Sequence, residues 1–316
     1  MDVTAEVILA EHRIRPFIRE TPLEHSLYFS QLTDANVFLK LENLQYTGSF
    51  KARGAMNKLL ALSAEQRAKG IVAASSGNHG IAVTFGLKTL QARGIIFVPN
   101  GASSTKVETI WRYGAEVHFH GNDSALTEEY ARAYADEHEM VYISPYNDEQ
   151  VIGGQGTIAI ELARQLQQID AVFVSVGGGG LIAGIAGYIQ NIFPHAVVVG
   201  CSPEHSPVMA ASIKAQHIVE MESQPTLSDG TAGGLELDAV TFPLCQKYIH
   251  DFILLSEEEI QKAMKLFMET QHQLIEGSAA LPIAALLKQE KRFHDKNVVL
   301  VICGANISLQ TLKTIL

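Results

Sequence analysis

Short runs of β-branched and apolar residues alternate with helix-like stretches along almost the whole chain, and this alternation limits the fold more than any other feature. The strand-like runs are "VFLKL" (37–41), "GIVAAS" (70–75), "GIIFVP" (94–99), "AEVHFH" (115–120), "MVYIS" (140–144), "AVFVSV" (171–176), "AVVVGC" (196–201) and "NVVLVICG" (297–304). Helical patterns between them include 122–138 and 156–168. Strands separated by helices predict parallel sheets covered on both faces, an α/β protein. At 316 residues the chain can bury more than one core. Four of the runs crowd between 70 and 144, which predicts a small domain over 49–148 inserted into a large one made from 1–48 and 149–316.

Charge removes whole classes of partner. Lys and Arg total 24 against 34 Asp and Glu, a net charge of −10, and the basic residues are scattered. Neither a nucleic acid nor an anionic membrane suits such a surface. Cys201, Cys245 and Cys303 form no paired framework and no CxxC, as expected in a reducing, cytoplasmic setting. The first twenty residues mix acids and bases and lack the apolar core of a signal peptide. Residues 171–194 carry no charge and are long enough to span a bilayer. Four successive glycines in the middle would damage a spanning helix, so a buried strand and a loop are expected instead.

Ligands of α/β sheets collect beyond the carboxyl ends of strands. Three glycine-bearing turns fall there: "SSGNHG" (75–80), "GGGGLIAG" (177–184) and "CGANIS" (303–308). Gly177, Gly178, Gly179 and Gly180 can present bare amides to an anion at the start of the following helix, the usual way of holding phosphate. No Walker lysine follows. Gly178, Gly180 and Ala183 match a dinucleotide fingerprint, but the next strand ends in Cys201 and Ser202 rather than a ribose-binding acid. In "SSGNHG", free amides suit a carboxylate and Asn78 can donate to an oxygen, although Ser75 and Asn78 could equally be caps. His118 and His120 alternate along a strand, a spacing that chance explains more readily than a metal.

The stretch "NLQYTGSFKARGA" (43–55) adds a lysine in an unusual place. Ala52, Ala55, Met56, Leu59 and Leu60 form an amphipathic helical stripe for which Ser49 is the expected N-cap. Lys51 then lies in the first turn, where the positive end of the helix dipole disfavours a cation. A lysine with a lowered pKa, a phosphate cup and a carboxylate-friendly loop together fit an aldehyde cofactor with a phosphate arm, bound as a Schiff base.

Taken in order, "TGSFKARGA", "SSGNHG", "VIGGQGT", "SVGGGGLIAG", "IEGSAAL" and "ICGAN" resemble the threonine and serine dehydratase family of pyridoxal-phosphate enzymes, which includes serine racemase, hydroxyaspartate dehydratase and hydroxyectoine-utilisation dehydratase. The likeness spans nearly the whole chain. It implies the tryptophan synthase β-like fold, fold type II, with two open, mainly parallel twisted sheets flanked by helices, commonly as a homodimer. It also implies that Lys51 carries pyridoxal 5'-phosphate, that Phe50 packs beside it and that Gly177 to Gly180 hold its phosphate. Asn78 would meet the ring hydroxyl and Cys303 would face the pyridine nitrogen. Ser75, Ser76, Gly77, Asn78 and His79 would receive an amino-acid substrate. The activity implied is loss of water and ammonia from a β-hydroxy amino acid such as L-threonine or L-serine.

Ser76 keeps a second activity open. Typical threonine dehydratases have alanine there, whereas serine racemase has serine, a second proton donor opposite Lys51. Racemase-like members also hold a divalent ion through two acids, at places where this chain has Ser202 and Val208, with Glu204 displaced by two, so no metal is expected. The loop "QPTLSDGTAGGLE" (224–236) resembles the hydroxyectoine branch. A catalytically silent ligand-binding relative is the remaining alternative.

Overall fold

The computed structural model describes residues 1–102 and 104–316, the side chains of residues 104–106 and 290 excepted. Its strands are β1 (Leu23–His25), β2 (Asn36–Lys40), β3 (Ile71–Ala74), β4 (Gly94–Val98), β5 (Glu116–Phe119), β6 (Val141–Tyr142), β7 (Ala171–Ser175), β8 (Val197–Pro203), β9 (Asp251–Leu255) and β10 (Asn297–Val301). They form a six-stranded sheet in the order β1-β2-β10-β7-β8-β9 and a four-stranded sheet in the order β5-β4-β3-β6. Every pairing is parallel except β1 with β2. Strand β10 pairs with β2 from Asn297↔Asn36 to Val301↔Lys40, so the larger sheet draws on both ends of the chain. The four strands expected between 70 and 144 make up the smaller sheet.

Two strands carry little sequence signal. β1 is a three-residue edge strand, "LEH", two of its three residues polar, and β9 has only the short run "FILL" before the capping box at Ser256. The helix expected from 156 begins at Glu149, where the Asp148 side chain accepts from the amides of Gln150 and Val151. Gly153, Gly154 and Gly156 weaken its local helical propensity, but tertiary contact explains one of them directly. A Cβ on Gly154 would lie 2.6 Å from Arg53 O. The Glu149–Gln165 helix thus presses against the Lys51–Ala61 helix at almost backbone distance. Residues 171–194 form β7, a glycine turn and the buried Gly180–Ile192 helix. No helix among the described residues is long and apolar enough to cross a membrane.

A buried ion cluster lies between these helices and the larger sheet. Arg53 binds Glu42 in a fork, Nε to Oε2 and Nη2 to Oε1, both at 2.8 Å. It also donates to Glu161, Nη1 to Oε1 at 2.7 Å and Nη2 to Oε2 at 2.9 Å. Lys40 Nζ reaches Glu161 Oε2 at 2.6 Å and Thr21 O at 2.8 Å. All four charged side chains are shut off from water. Burial alone would push the Glu161 carboxyl up, yet Arg53 and Lys40 hold it below the usual range. Burial would likewise lower the Arg53 guanidinium, but Glu42 and Glu161 keep it raised.

Removing one partner from such a cluster strands the opposite charge. Arg53→Met is expected to cost about 3–5 kcal/mol of unfolding free energy, measured by urea titration. The Glu161 contribution is fully present above the unfolded carboxylate value of 4.5 and fades as the pH falls below it. Acid unfolding of Glu161→Gln, followed by circular dichroism, should therefore show a shallower dependence on pH than that of the wild type.

Candidate active site

The carboxyl ends of β3, β7 and β10 open on one cleft of about 760 Å³, and Lys51 borders it. Lys51 is the first residue of the Lys51–Ala61 helix, but the N-cap is Phe50 rather than Ser49. The expected Ser49 cap is lost because the chain is pinned across to the end of β10. Ser49 bridges Gly304, and Phe50 N donates to Cys303 O at 3.1 Å. The buried Ser49 hydroxyl has no hydrogen-bond partner among the described residues. Lys51 Nζ donates to Pro145 O at 2.8 Å and sits 5.3 Å from the centre of the Phe50 ring. Burial lowers its amine to about 8, against the opposing pull of Glu276 and Glu128. At neutral to mildly alkaline pH a useful fraction is therefore the free, nucleophilic amine.

The loop after β3 puts Ser75, Ser76, Gly77 and Asn78 on the cleft wall, all half-buried. Ser75 Oγ accepts from Gly77 N at 3.1 Å, which holds the turn. Asn78 starts the Asn78–Leu90 helix, and both ends of its amide are engaged. Nδ2 donates to the two oxygens of Glu276 at 2.9 and 3.0 Å, and Oδ1 accepts from Asn306 Nδ2 at 2.6 Å. His79 borders the cleft but is buried, with its Nε2 donating to Ile143 O at 2.8 Å. Burial, helped by the charge of Lys51, pushes its imidazole down to about 3. His79 is therefore a neutral, fixed ring and brings no positive charge to an incoming carboxylate.

Gly177 to Gly180 link β7 to the Gly180–Ile192 helix. Gly179 is its N-cap at φ 85°, and a Cβ there would lie 2.8 Å from both Cys245 Sγ and Met209 Cε. Conformation and space both demand glycine. The first-turn amides of a helix lack intrahelical acceptors and sit at the positive end of its dipole. The loop thus offers an anion cradle, steadied by Thr241 Oγ1 donating to Gly178 O at 2.7 Å. At the end of β10, Cys303 is buried, and burial together with Glu276 holds its thiol well above its usual pKa. It stays neutral. A poised amine, an anion cradle, an amide-rich loop and a neutral thiol suit pyridoxal 5'-phosphate.

Several lining residues escaped the sequence reading. Glu276 and Asn306 lie inside quoted motifs, but nothing in their spacing showed that they would close on Asn78. Tyr146 flanks the glycine loop so tightly that a Cβ on Gly178 would overlap its ring. Arg132, on the Ser124–Glu137 helix of the smaller sheet, meets Glu236, from the loop after 224, at 2.8 Å. Those partners are far apart in sequence, so only their folded proximity reveals them.

The remaining candidates lie elsewhere. His118 Nε2 meets Glu116 at 2.6 Å and His120 stacks on Tyr130 at 3.6 Å. Ser202 Oγ donates to Val176 O, Val208 is buried, and Glu204 lies 4.0 Å from Lys288. No group of three or more potential metal ligands occurs among the described residues.

Comparison with known proteins agrees with this geometry. Residues 14–304 match the family described as pyridoxal-phosphate dependent enzymes. The catabolic L-threonine dehydratase TdcB of Staphylococcus aureus is 41% identical over 304 residues, which is 95% of this chain and 88% of that protein. Maize serine racemase superposes with a TM-score of 0.93 at 31% identity, over 98% of this chain and 95% of its own. The processed form of threonine deaminase isoform 2 from Solanum lycopersicum gives 0.94 at 30% identity, over 99% and 91%. With this match across its length and the fold type II architecture around the Lys51 cleft, the chain belongs to the pyridoxal-phosphate-dependent enzyme family.

Proposed function

We propose that this protein is a pyridoxal-phosphate-dependent dehydratase that converts a β-hydroxy amino acid, L-threonine or L-serine, to a 2-oxo acid and ammonia. The observation that carries the reading is Lys51, an amine with a lowered pKa at the edge of a cleft that also holds the glycine cradle. The 41% identity to a catabolic L-threonine dehydratase supports it.

The residues divide the work as follows. Bound pyridoxal phosphate supplies an electron sink conjugated with the substrate Cα. The amides of the glycine cradle would hold its phosphate, and Lys51 Nζ would hold its aldehyde end. The free Lys51 amine, steadied by Pro145 O, then accepts the α-proton. Ser75, Ser76, Gly77 and Asn78 receive the substrate carboxylate, and His79 braces the loop from behind through Ile143 O. Cys303, as a neutral thiol, does not hold a protonated pyridine nitrogen as an aspartate would. A moderate sink suffices where a β-hydroxyl leaves directly.

Ser76 supports a second reading, an amino-acid racemase, because its hydroxyl borders the same cleft as Lys51. The 49–148 division of the chain into a small domain fits the same scheme, since the smaller sheet lies wholly within those residues.

Borohydride reduction of the holoenzyme followed by peptide mapping is expected to place a pyridoxyl group on Lys51, and Lys51→Ala should lower 2-oxo acid release from L-threonine by about a thousandfold or more. An adduct on any other lysine overturns the reading. In the apoprotein, acetylation of Lys51 should be half-maximal near pH 8, against about 10.4 for exposed lysines, because a lowered pKa exposes the free amine at lower pH. Ser76→Ala should spare dehydration of L-serine and abolish any racemisation; equal loss of both rejects the two-base role.

A further inference from the structure

Glu276 is the N-cap of the Gly277–Lys288 helix, yet its side chain makes no hydrogen bond to that helix's amides. The carboxylate turns into the cleft, 5% exposed, where loops from two other parts of the chain converge on it. From the loop after β3, Asn78 Nδ2 donates to both of its oxygens. From the loop after β10, Asn306 N donates to Oε2 at 3.1 Å. The Asn306 side chain closes the ring by donating to Asn78 Oδ1 and, at 2.9 Å, to Thr47 O in the loop that leads to Lys51.

A carboxylate offers acceptors only, so it decides which end of an amide can face it. Nδ2 of Asn78 must point to Glu276 and Oδ1 to Asn306. An amide nitrogen carries two N–H groups. One shared by the two carboxylate oxygens leaves the other for an acceptor in the cleft. Helix capping does not account for this arrangement, because the carboxylate leaves its own helix uncapped and spends its charge on Asn78.

We propose that Glu276 is a positioning residue that locks the Asn78 amide as a donor toward the oxygen of the bound cofactor. The proposal rests on the pyridoxal-phosphate reading above. Glu276 acts through Asn78, so the two residues form one unit and their removal is not additive. Losing the charge-assisted hydrogen bond loosens the donor rather than emptying the site. Cofactor remains bound while its electronic environment changes.

The test is a double-mutant cycle on the holoenzyme with Glu276→Gln, Asn78→Ala and the pair. Its readouts are the absorption spectrum of the bound cofactor against pH and the cofactor dissociation constant measured by fluorescence. Glu276→Gln is expected to shift the absorption band in the same direction as Asn78→Ala, and to lower kcat about tenfold with KM changed less than about threefold. The double variant should lose no more than Asn78→Ala alone. Glu276→Gln keeps the shape of the side chain; its apoprotein melting temperature, compared with that of the wild type, reports any loss of fold. An unshifted spectrum, or additive losses in the pair, overturns the positioning role. A wild-type protein that binds no pyridoxal phosphate overturns the functional reading itself, and the proposal with it.

Discussion

Arg53 stands two residues beyond the lysine on which the site turns, and its guanidinium is shared between two buried carboxylates that belong to different parts of the chain. Glu42 follows β2 of the larger sheet, and Glu161 lies on the Glu149–Gln165 helix. Lys40, at the end of β2, balances the cluster's second negative charge, that of Glu161. The four fully buried charges, two carboxylates and two cations, cancel, and Arg15 reaches Glu161 at 2.7 Å from the partly exposed edge, which is how the four can be shut off from water without a ruinous desolvation cost. The cluster fixes the start of the Lys51–Ala61 helix against the larger sheet. Fixing that start also fixes where Lys51 emerges.

Everything at the site depends on that placement. Once the Lys51 helix is held, its first residue faces Pro145 O and the burial that lowers its amine. The chain just before it crosses to Cys303 and Gly304, so the lysine and the end of β10 are tied together by backbone rather than by side chains alone. Glu276, Asn78 and Asn306 extend the tie to the loop after β3. Strand ends from both sheets thus meet around a single cleft, with the anion cradle on one wall and the amide-rich loop on another.

Much of this could be read from the sequence. All eight apolar runs became strands, because a run of β-branched residues bounded by glycine or proline suits little else. The three turns beyond β3, β7 and β10 reached the cleft, because parallel strands direct their carboxyl ends to one side. The missed strands were the edge strand Leu23–His25, mostly polar and three residues long, and β9, whose apolar run is only four residues. The helix start at Glu149 was obscured by Gly153, Gly154 and Gly156, each of which lies against a distant part of the chain: Gly153 against Glu6, Gly154 against Arg53, and Gly156 against Val7 and Gly184. Ser49 has the composition of a cap, but its backbone had been claimed by Gly304. Local preference yields to tertiary pairing wherever the two compete.

The sequence alone determined the α/β alternation, the glycine loop after β7, and a lysine at the start of a helix, since each depends on neighbours within a few residues. Only the tertiary structure decided the partners of the charges: Arg53 with Glu42 and Glu161, Asn78 with Glu276 and Asn306, and the burial that lowers Lys51. Electrostatic environment depends on which groups lie within a few ångströms and on how much water is excluded, and the order of residues along a chain records neither.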